Sequence, residues 1–222
     1  MPAAREPTLS RTDPIGRRAP EVIRILNDAY PGATVALNFS NALEILIATI
    51  LSAQCTDVKV NEVTATLFVK YRTPEDYVRV PEDELRADIK PTGFYNQKAA
   101  SIRATCARLI EAYDGQVPDT MEELLTLRGV ARKTANIVLA NGFGKVEGIP
   151  VDTHVKRVSN RIGFSSQSDP DKIEQDLMRL VPREEWSPFS YVLIDHGRRI
   201  CQAKKPRCTE CPIEPLCPSS QA

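Results

Sequence analysis

The chain has no excess of either charge. Its 222 residues carry 29 Lys and Arg against 29 Asp and Glu, so net charge points to no polyanionic partner. Any such reading must rest on local clustering. Long apolar runs are also missing. The longest, ALEILIATIL over residues 42–51, includes Glu44 and Thr49; it is too short and too polar to span a bilayer, and no membrane partner is expected. Residues 1–20 lack an apolar stretch, so no secretory signal is expected there, and Glu6 and Asp13 argue against an acid-poor transit peptide. That opening segment is polar and Pro-rich, and residues 1–18 are expected to form a disordered tail. The expected location is the cytoplasm, where a reducing milieu steers clustered cysteines toward metal rather than disulfide.

Strand signals are nearly absent, with no sustained alternation of apolar and polar residues. What is present is a succession of helix starts. Asn41 with Glu44 reads as a capping box opening a segment apolar nearly all round, hence a buried central helix. Thr56–Asp57 starts another, with Val60, Val63, Leu67 and Phe68 on one face. Thr73 and Pro74 supply an N-cap followed by Pro in the first turn. Ile102, Cys106, Leu109, Ile110 and Tyr113 share a face of a helix that Gly115 ends, and Thr120 with Glu123 makes a further capping box. The fold class is all-α, with roughly ten helices joined by short turns, and a chain of this length buries about 70% of its unfolded surface without staples. Cys106 belongs to the core stripe, and Cys55, at a helix junction, reads as an inert free thiol.

Chemistry concentrates in three places. In LLTLRGVARKTANIVLANGFG, a short helix ends at Leu127, Arg128-Gly129-Val130-Ala131 forms a tight turn, and a second helix begins near Arg132. So short a hairpin leaves the second helix's first N–H groups facing outward beside the positive end of its dipole, an anion site indifferent to base sequence. Lys133 stands in that first turn, where the dipole disfavours the charged form, and only a neutral amine is a nucleophile. Asp152 in IPVDTHVKRVSNR precedes a helical run. It reads either as an ordinary N-cap or as a carboxylate fixed by backbone donors and able to stabilise positive charge on a sugar.

The third place is the terminal array CQAKKPRCTECPIEPLC, with Cys201, Cys208, Cys211 and Cys217 at spacing C-x6-C-x2-C-x5-C. Zinc sites more often use two C-x2-C knuckles and this array has one, so spacing alone leaves zinc and an iron–sulfur cluster both open. Lys204, Lys205 and Arg207 lie between the first two cysteines, after Arg198 and Arg199; Lys156, Arg157 and Arg161 follow Asp152. These are read as phosphate-binding patches. The stretch DPDKIEQDLMRLVPREEW, with six acids and three bases, is expected to face away from a polyanion.

Taken together and in order, LSAQCTDVKVN, LRGVARKTAN, VDTHVKRVSNR and the cysteine array resemble the endonuclease III family of helix-hairpin-helix DNA glycosylases, over roughly residues 20–218. The resemblance implies two helical domains with a DNA-binding cleft between them: a helical barrel with the hairpin over residues 35–146, and an iron–sulfur domain from residues 19–34 plus 147–222. It assigns Cys201, Cys208, Cys211 and Cys217 to a 4Fe-4S cluster, Lys133 to the Schiff-base nucleophile and Asp152 to the catalytic carboxylate. Gln54 matches the side chain that fills the gap left by a flipped base, and Phe94 the apolar wedge, with a plain core aromatic as its alternative. DNA contacts are implied for Gly129, Val130, Ala131 and Arg132 in the hairpin and for Lys204, Lys205 and Arg207 in the cysteine loop.

Two departures mark the hairpin. The family usually reads Leu-Pro-Gly-Val-Gly, whereas Arg128 stands here for Pro and Ala131 for the second Gly; Ala131 fits only if that position keeps a negative φ. The implied activity is a bifunctional glycosylase and AP lyase acting, as a nucleoid-associated monomer, on double-stranded DNA with damaged bases or abasic sites. Two alternatives stand beside it. One is a monofunctional mismatch or adenine glycosylase, against which Lys133 argues, as does Thr49 where adenine-excising relatives carry Glu. The other is a non-catalytic iron–sulfur DNA-binding protein.

Overall fold

The computed structural model describes residues 9–222. Among them the regular structure is helical: α1 (Ile15–Ala29), α2 (Ala42–Leu51), α3 (Asp57–Lys70), α4 (Pro74–Arg79), α5 (Glu82–Ile89), α6 (Tyr95–Tyr113), α7 (Met121–Leu124), α8 (Arg132–Phe143), α9 (Thr153–Ile162), α10 (Pro170–Leu180) and α11 (Trp186–Arg199), with short 3₁₀ turns between some of them. No helix of the described residues is long and apolar enough to cross a membrane. The chain divides into two compact units, Val35–Glu147 and a discontinuous one made of the segment up to Thr34 together with Gly148–Ala222.

In Val35–Glu147, α2 is the hub. Residues Ile45 through Leu51 are all buried, as a helix apolar on every side requires. It packs on α8, so closely that a Cβ on Gly142 would stand 3.3 Å from the Cα of Ala42. Asn41 caps α2 by accepting from the Glu44 N–H at 2.9 Å. The reciprocal half of the expected box is displaced by one residue: the Glu44 carboxylate takes the N–H of Ser40 at 2.6 Å, not that of Asn41. Cys106 is buried in the core and Cys55 packs partly against it, both as free thiols. Ile110, read as part of the α6 stripe, lies at its exposed margin.

The discontinuous unit builds its core from Val22, Ile23 and Leu26 of α1, Val155, Val158 and Ile162 of α9, and Phe189 and Leu193 of α11, closed by Ile213 and Leu216 of the cysteine segment. The expectation of a disordered tail over residues 1–18 fails for residues 9–18; residues 1–8 lie outside the described residues. Asp13 takes the Ser10 N–H at 2.9 Å, α1 begins at Ile15, and Arg18 is buried. Its guanidinium donates to the carbonyls of Asp13 (2.9 Å), Ile162 (3.2 Å) and Leu216 (2.5 Å). Composition reads Arg18 as polar tail, but three carbonyl acceptors satisfy it inside.

Candidate functional site

The hairpin is shaped by close packing on α6. Gly129 has φ +82, and a Cβ there would come within 3.1 Å of the Ser101 side chain, so both conformation and space demand glycine. Thr105 secures the turn by donating to the Arg128 carbonyl at 2.8 Å. Ala131 has φ −97 and ψ 171, extended backbone open to alanine, so replacing glycine costs nothing there. It is the N-cap of α8 and offers no capping side chain. Val130 is a correction: its side chain is buried and its N–H is spent on the Leu127 carbonyl at 3.2 Å, so it anchors the turn and donates nothing outward. Arg132 opens α8, and Lys133 follows with its side chain exposed.

Asp152 is the N-cap of α9, and its Oδ1 accepts from the N–H groups of His154 and Val155, both at 2.8 Å. The ordinary capping role is thus real, and it also fixes the carboxylate's orientation. Buried Ile149 and Val151 anchor the strand of chain before it, and Ser190 of α11 donates to the Pro150 carbonyl at 2.8 Å. Burial holds the His154 imidazole below its usual range, with Arg157 as an additional cause.

Gln54 and Phe94 share an unusual backbone. With φ +52 and +48 they are two of the three non-glycine residues with left-handed backbone among the described residues, Asp114 being the third. Such a conformation is costly for side chains of this size and is tolerated mainly at functional turns. Both side chains are exposed, Phe94 by 58%, so the core-aromatic alternative for Phe94 is overturned.

The four terminal cysteines are free thiols that line one cavity of about 150 Å³ together with His196. Among the described residues, no three His, Cys, Asp or Glu side chains are grouped to hold a metal ion. Burial, then the neighbouring thiols, push Cys211 up to about 11, and burial raises Cys217 as well. His196 sits 3.8 Å from the Cys211 sulfur through Nε2 and 3.0 Å from the Tyr30 hydroxyl through Nδ1; burial drops it to about 4.

The basic patches divide. Lys204 and Lys205 are exposed, and among the described residues neither has an ion-pair partner. Arg207, by contrast, donates to the Arg199 carbonyl from Nε at 3.1 Å and pairs with Glu210. Arg157 donates to the carbonyls of Cys201 (3.1 Å) and Gly197 (2.9 Å), Arg161 to those of Gln202 (2.7 Å) and Ala203 (2.8 Å), and Lys156 to that of Ser168 (2.6 Å). All four are thus engaged with backbone: Arg157 and Arg161 brace the cysteine loop from α9, Arg207, itself exposed, ties that loop to the end of α11, and Lys156 braces the chain after α9.

Residues 47–183 match the family described as HhH-GPD superfamily base excision DNA repair protein. The chain belongs to that superfamily. It is 50% identical to endonuclease III of Synechocystis sp. over 93% of this chain and 94% of the relative. A solved non-covalent endonuclease III–DNA complex superposes with a TM-score of 0.89 at 45% identity, covering 93% of this chain and 96% of that one. A trapped endonuclease III–DNA covalent intermediate matches with the same TM-score and identity. This HhH-GPD protein is therefore a base excision repair enzyme, a DNA glycosylase and AP lyase.

Sequence reasoning passed over two residues of this HhH-GPD protein. His196 has the signal of a histidine five residues before the first cysteine of the array. Lys98 has only the weak signal of a lysine one turn into α6; it is 4% exposed and donates to two carbonyls.

Proposed function

We propose that the protein excises oxidised pyrimidines from double-stranded DNA and then nicks the strand at the resulting abasic site, acting as a monomer on chromosomal DNA in the cytoplasm. The amine of Lys133 attacks C1′ of the damaged nucleotide, the C1′–N bond breaks, and the base departs with a proton. The C1′–O4′ bond of the resulting aminal then opens, O4′ taking up a proton, to leave an imine between Lys133 and C1′; the imine acidifies the C2′ hydrogen, and loss of that proton expels the 3′ oxygen and cuts the strand. Asp152, oriented by two backbone N–H groups, stabilises the positive charge that develops on the sugar. The observation that carries this reading is Lys133 itself. It is an exposed amine in the first turn of α8, directly after a glycine hairpin suited to phosphate, in a chain 45% identical to one trapped covalently on DNA.

Gln54 and Phe94 enter the duplex as the nucleotide leaves it, offsetting the few kcal/mol of lost stacking. Lys204 and Lys205 meet the phosphate backbone. The four cysteines hold a 4Fe-4S cluster. Structural zinc sites more often use two C-x2-C knuckles, and this array has one; its four sulfurs line a common cavity of about 150 Å³. Buried thiols that resist ionisation alone suit a polycationic iron core. When bound, the cluster cross-links the C-terminal segment and supplies a redox-active centre; the glycosyl and elimination steps run on Lys133 and Asp152.

The test is borohydride reduction during reaction with a thymine-glycol duplex. The wild type should become covalently joined to DNA, and Lys133→Ala should not. Undiminished trapping in Lys133→Ala overturns the assignment.

A further inference from the structure

Lys98 is a buried ammonium held by two neutral carbonyls. Its Nζ donates to the carbonyl of Leu51 at 2.7 Å and to that of Thr92 at 2.7 Å, and only 4% of the residue is exposed. Burying this charge without a counter-ion is unfavourable, and burial accordingly shifts Lys98 toward its neutral form. A leucine or methionine would fill the same volume at lower cost, so the interest lies in what the ammonium joins.

Leu51 is the last residue of α2, and the turn that follows it carries Gln54. Thr92 ends the 3₁₀ turn 90–92, and two residues later comes Phe94, the N-cap of α6. Each acceptor therefore lies just upstream of one of the left-handed, exposed residues, Gln54 and Phe94. One nitrogen bonded to both carbonyls holds the bases of the two turns within twice that bond length of each other. The Leu51 carbonyl belongs to the last turn of a helix, where carbonyls lack helical partners, so its position is otherwise governed only by the turn. Thr92 is fixed on its other side by its hydroxyl, which donates to the Ile89 carbonyl at 2.8 Å. Lys98 in turn belongs to the first turn of α6, its N–H bonded to the Phe94 carbonyl at 3.0 Å. The network thus runs from the Gln54 turn through one side chain to the backbone of Phe94.

We propose that Lys98 is a positioning residue for base extrusion, tying the Gln54 and Phe94 turns into one rigid unit so that the gap-filling and wedging side chains enter the duplex together. This rests on the reading of Gln54 and Phe94 as duplex-inserting residues.

The experiment uses the full-length, cluster-loaded protein and a duplex with 2-aminopurine beside a thymine glycol, whose fluorescence reports unstacking. Lys98→Met keeps the volume and deletes both bonds. It should slow extrusion and single-turnover excision by tenfold or more. AP-lyase cleavage of an abasic duplex, which has no base to unstack, should change less than threefold. Lys98→Gln, able to donate to one carbonyl, should fall between and serves if Lys98→Met does not fold. Leu109→Ala, a core truncation in α6, supplies a loss of Tm without touching the bridge and should lower both activities equally. Equal loss of excision and lyase activity in the Lys98 variants, or unchanged extrusion, overturns the proposal. Gln54→Ala and Phe94→Ala separate it from the reading beneath it. If they slow extrusion and the Lys98 variants do not, the bridge alone is wrong; if they leave extrusion intact, the inserting roles fail and the bridge falls with them.

Discussion

The guanidinium of Arg161 lies 3.4 Å from the sulfur of Cys201 and donates to the two carbonyls that follow it in the chain, those of Gln202 and Ala203. An α9 side chain thereby sets the course of the loop between the first two cysteines. Arg161→Ala should destabilise the discontinuous unit by about 1–3 kcal/mol, the range for bonds from a charged donor. It should also speed bleaching of the visible absorbance of the proposed 4Fe-4S cluster under a chelator, with Tm and absorbance decay as readouts. An unchanged bleaching rate would show that the loop holds its course without the brace.

The left-handed backbone at Phe94 predicts a trade between stability and activity. Glycine adopts such a φ freely, and the ring is 58% exposed, so little burial is lost in Phe94→Gly. Relief of about 1 kcal/mol should raise Tm by roughly 2–4 °C, while excision of a base lesion drops at least tenfold. A fall in Tm would mean that the ring is anchored in the fold.

Salt dependence distinguishes the cations that are exposed from those that are engaged. Lys204→Ala and Lys205→Ala should each lower the slope of log K against log salt by about 0.9, uniformly across DNA sequences. Arg207→Ala and Arg157→Ala should leave that slope unchanged and lower Tm instead, because their donors go to backbone carbonyls.

His154 predicts an acid limb in stability. Its Nδ1 lies 3.2 Å from the Arg157 Nη2, and since arginine only donates, this nitrogen accepts and the ring is neutral. Burial lowers its folded pKa, so the unfolded chain binds the proton more readily. Stability is then full above the unfolded value of about 6.5 and declines as the pH falls below it toward the folded value. His154→Asn should flatten that decline in Tm-versus-pH curves below about pH 6.5.

The parts of this molecule that are legible in its sequence are those whose physics is local. The start of α8 at Arg132, the caps at Asn41, Thr56 and Thr120, and the buried α2 follow from a few adjacent residues each. What escapes is whatever depends on distant partners. An arginine bound to a phosphate and one bound to a carbonyl look alike in sequence, so the carbonyl partners of Arg157, Arg161 and Arg207 are not legible there. Arg18 and Lys98 are buried because carbonyls from far along the chain meet them. The left-handed φ of Gln54 and Phe94 has no glycine to announce it.

The discontinuous unit has a consequence for synthesis. Val22, Ile23 and Leu26 of α1 leave the ribosome first, yet the helices and cysteine segment that cover them come after Val35–Glu147 has been made. At about 5–20 residues per second, that apolar face waits on the order of ten seconds for its cover. During this interval the nascent protein offers an amphipathic helix to chaperones, and a truncated message would leave it permanently bare.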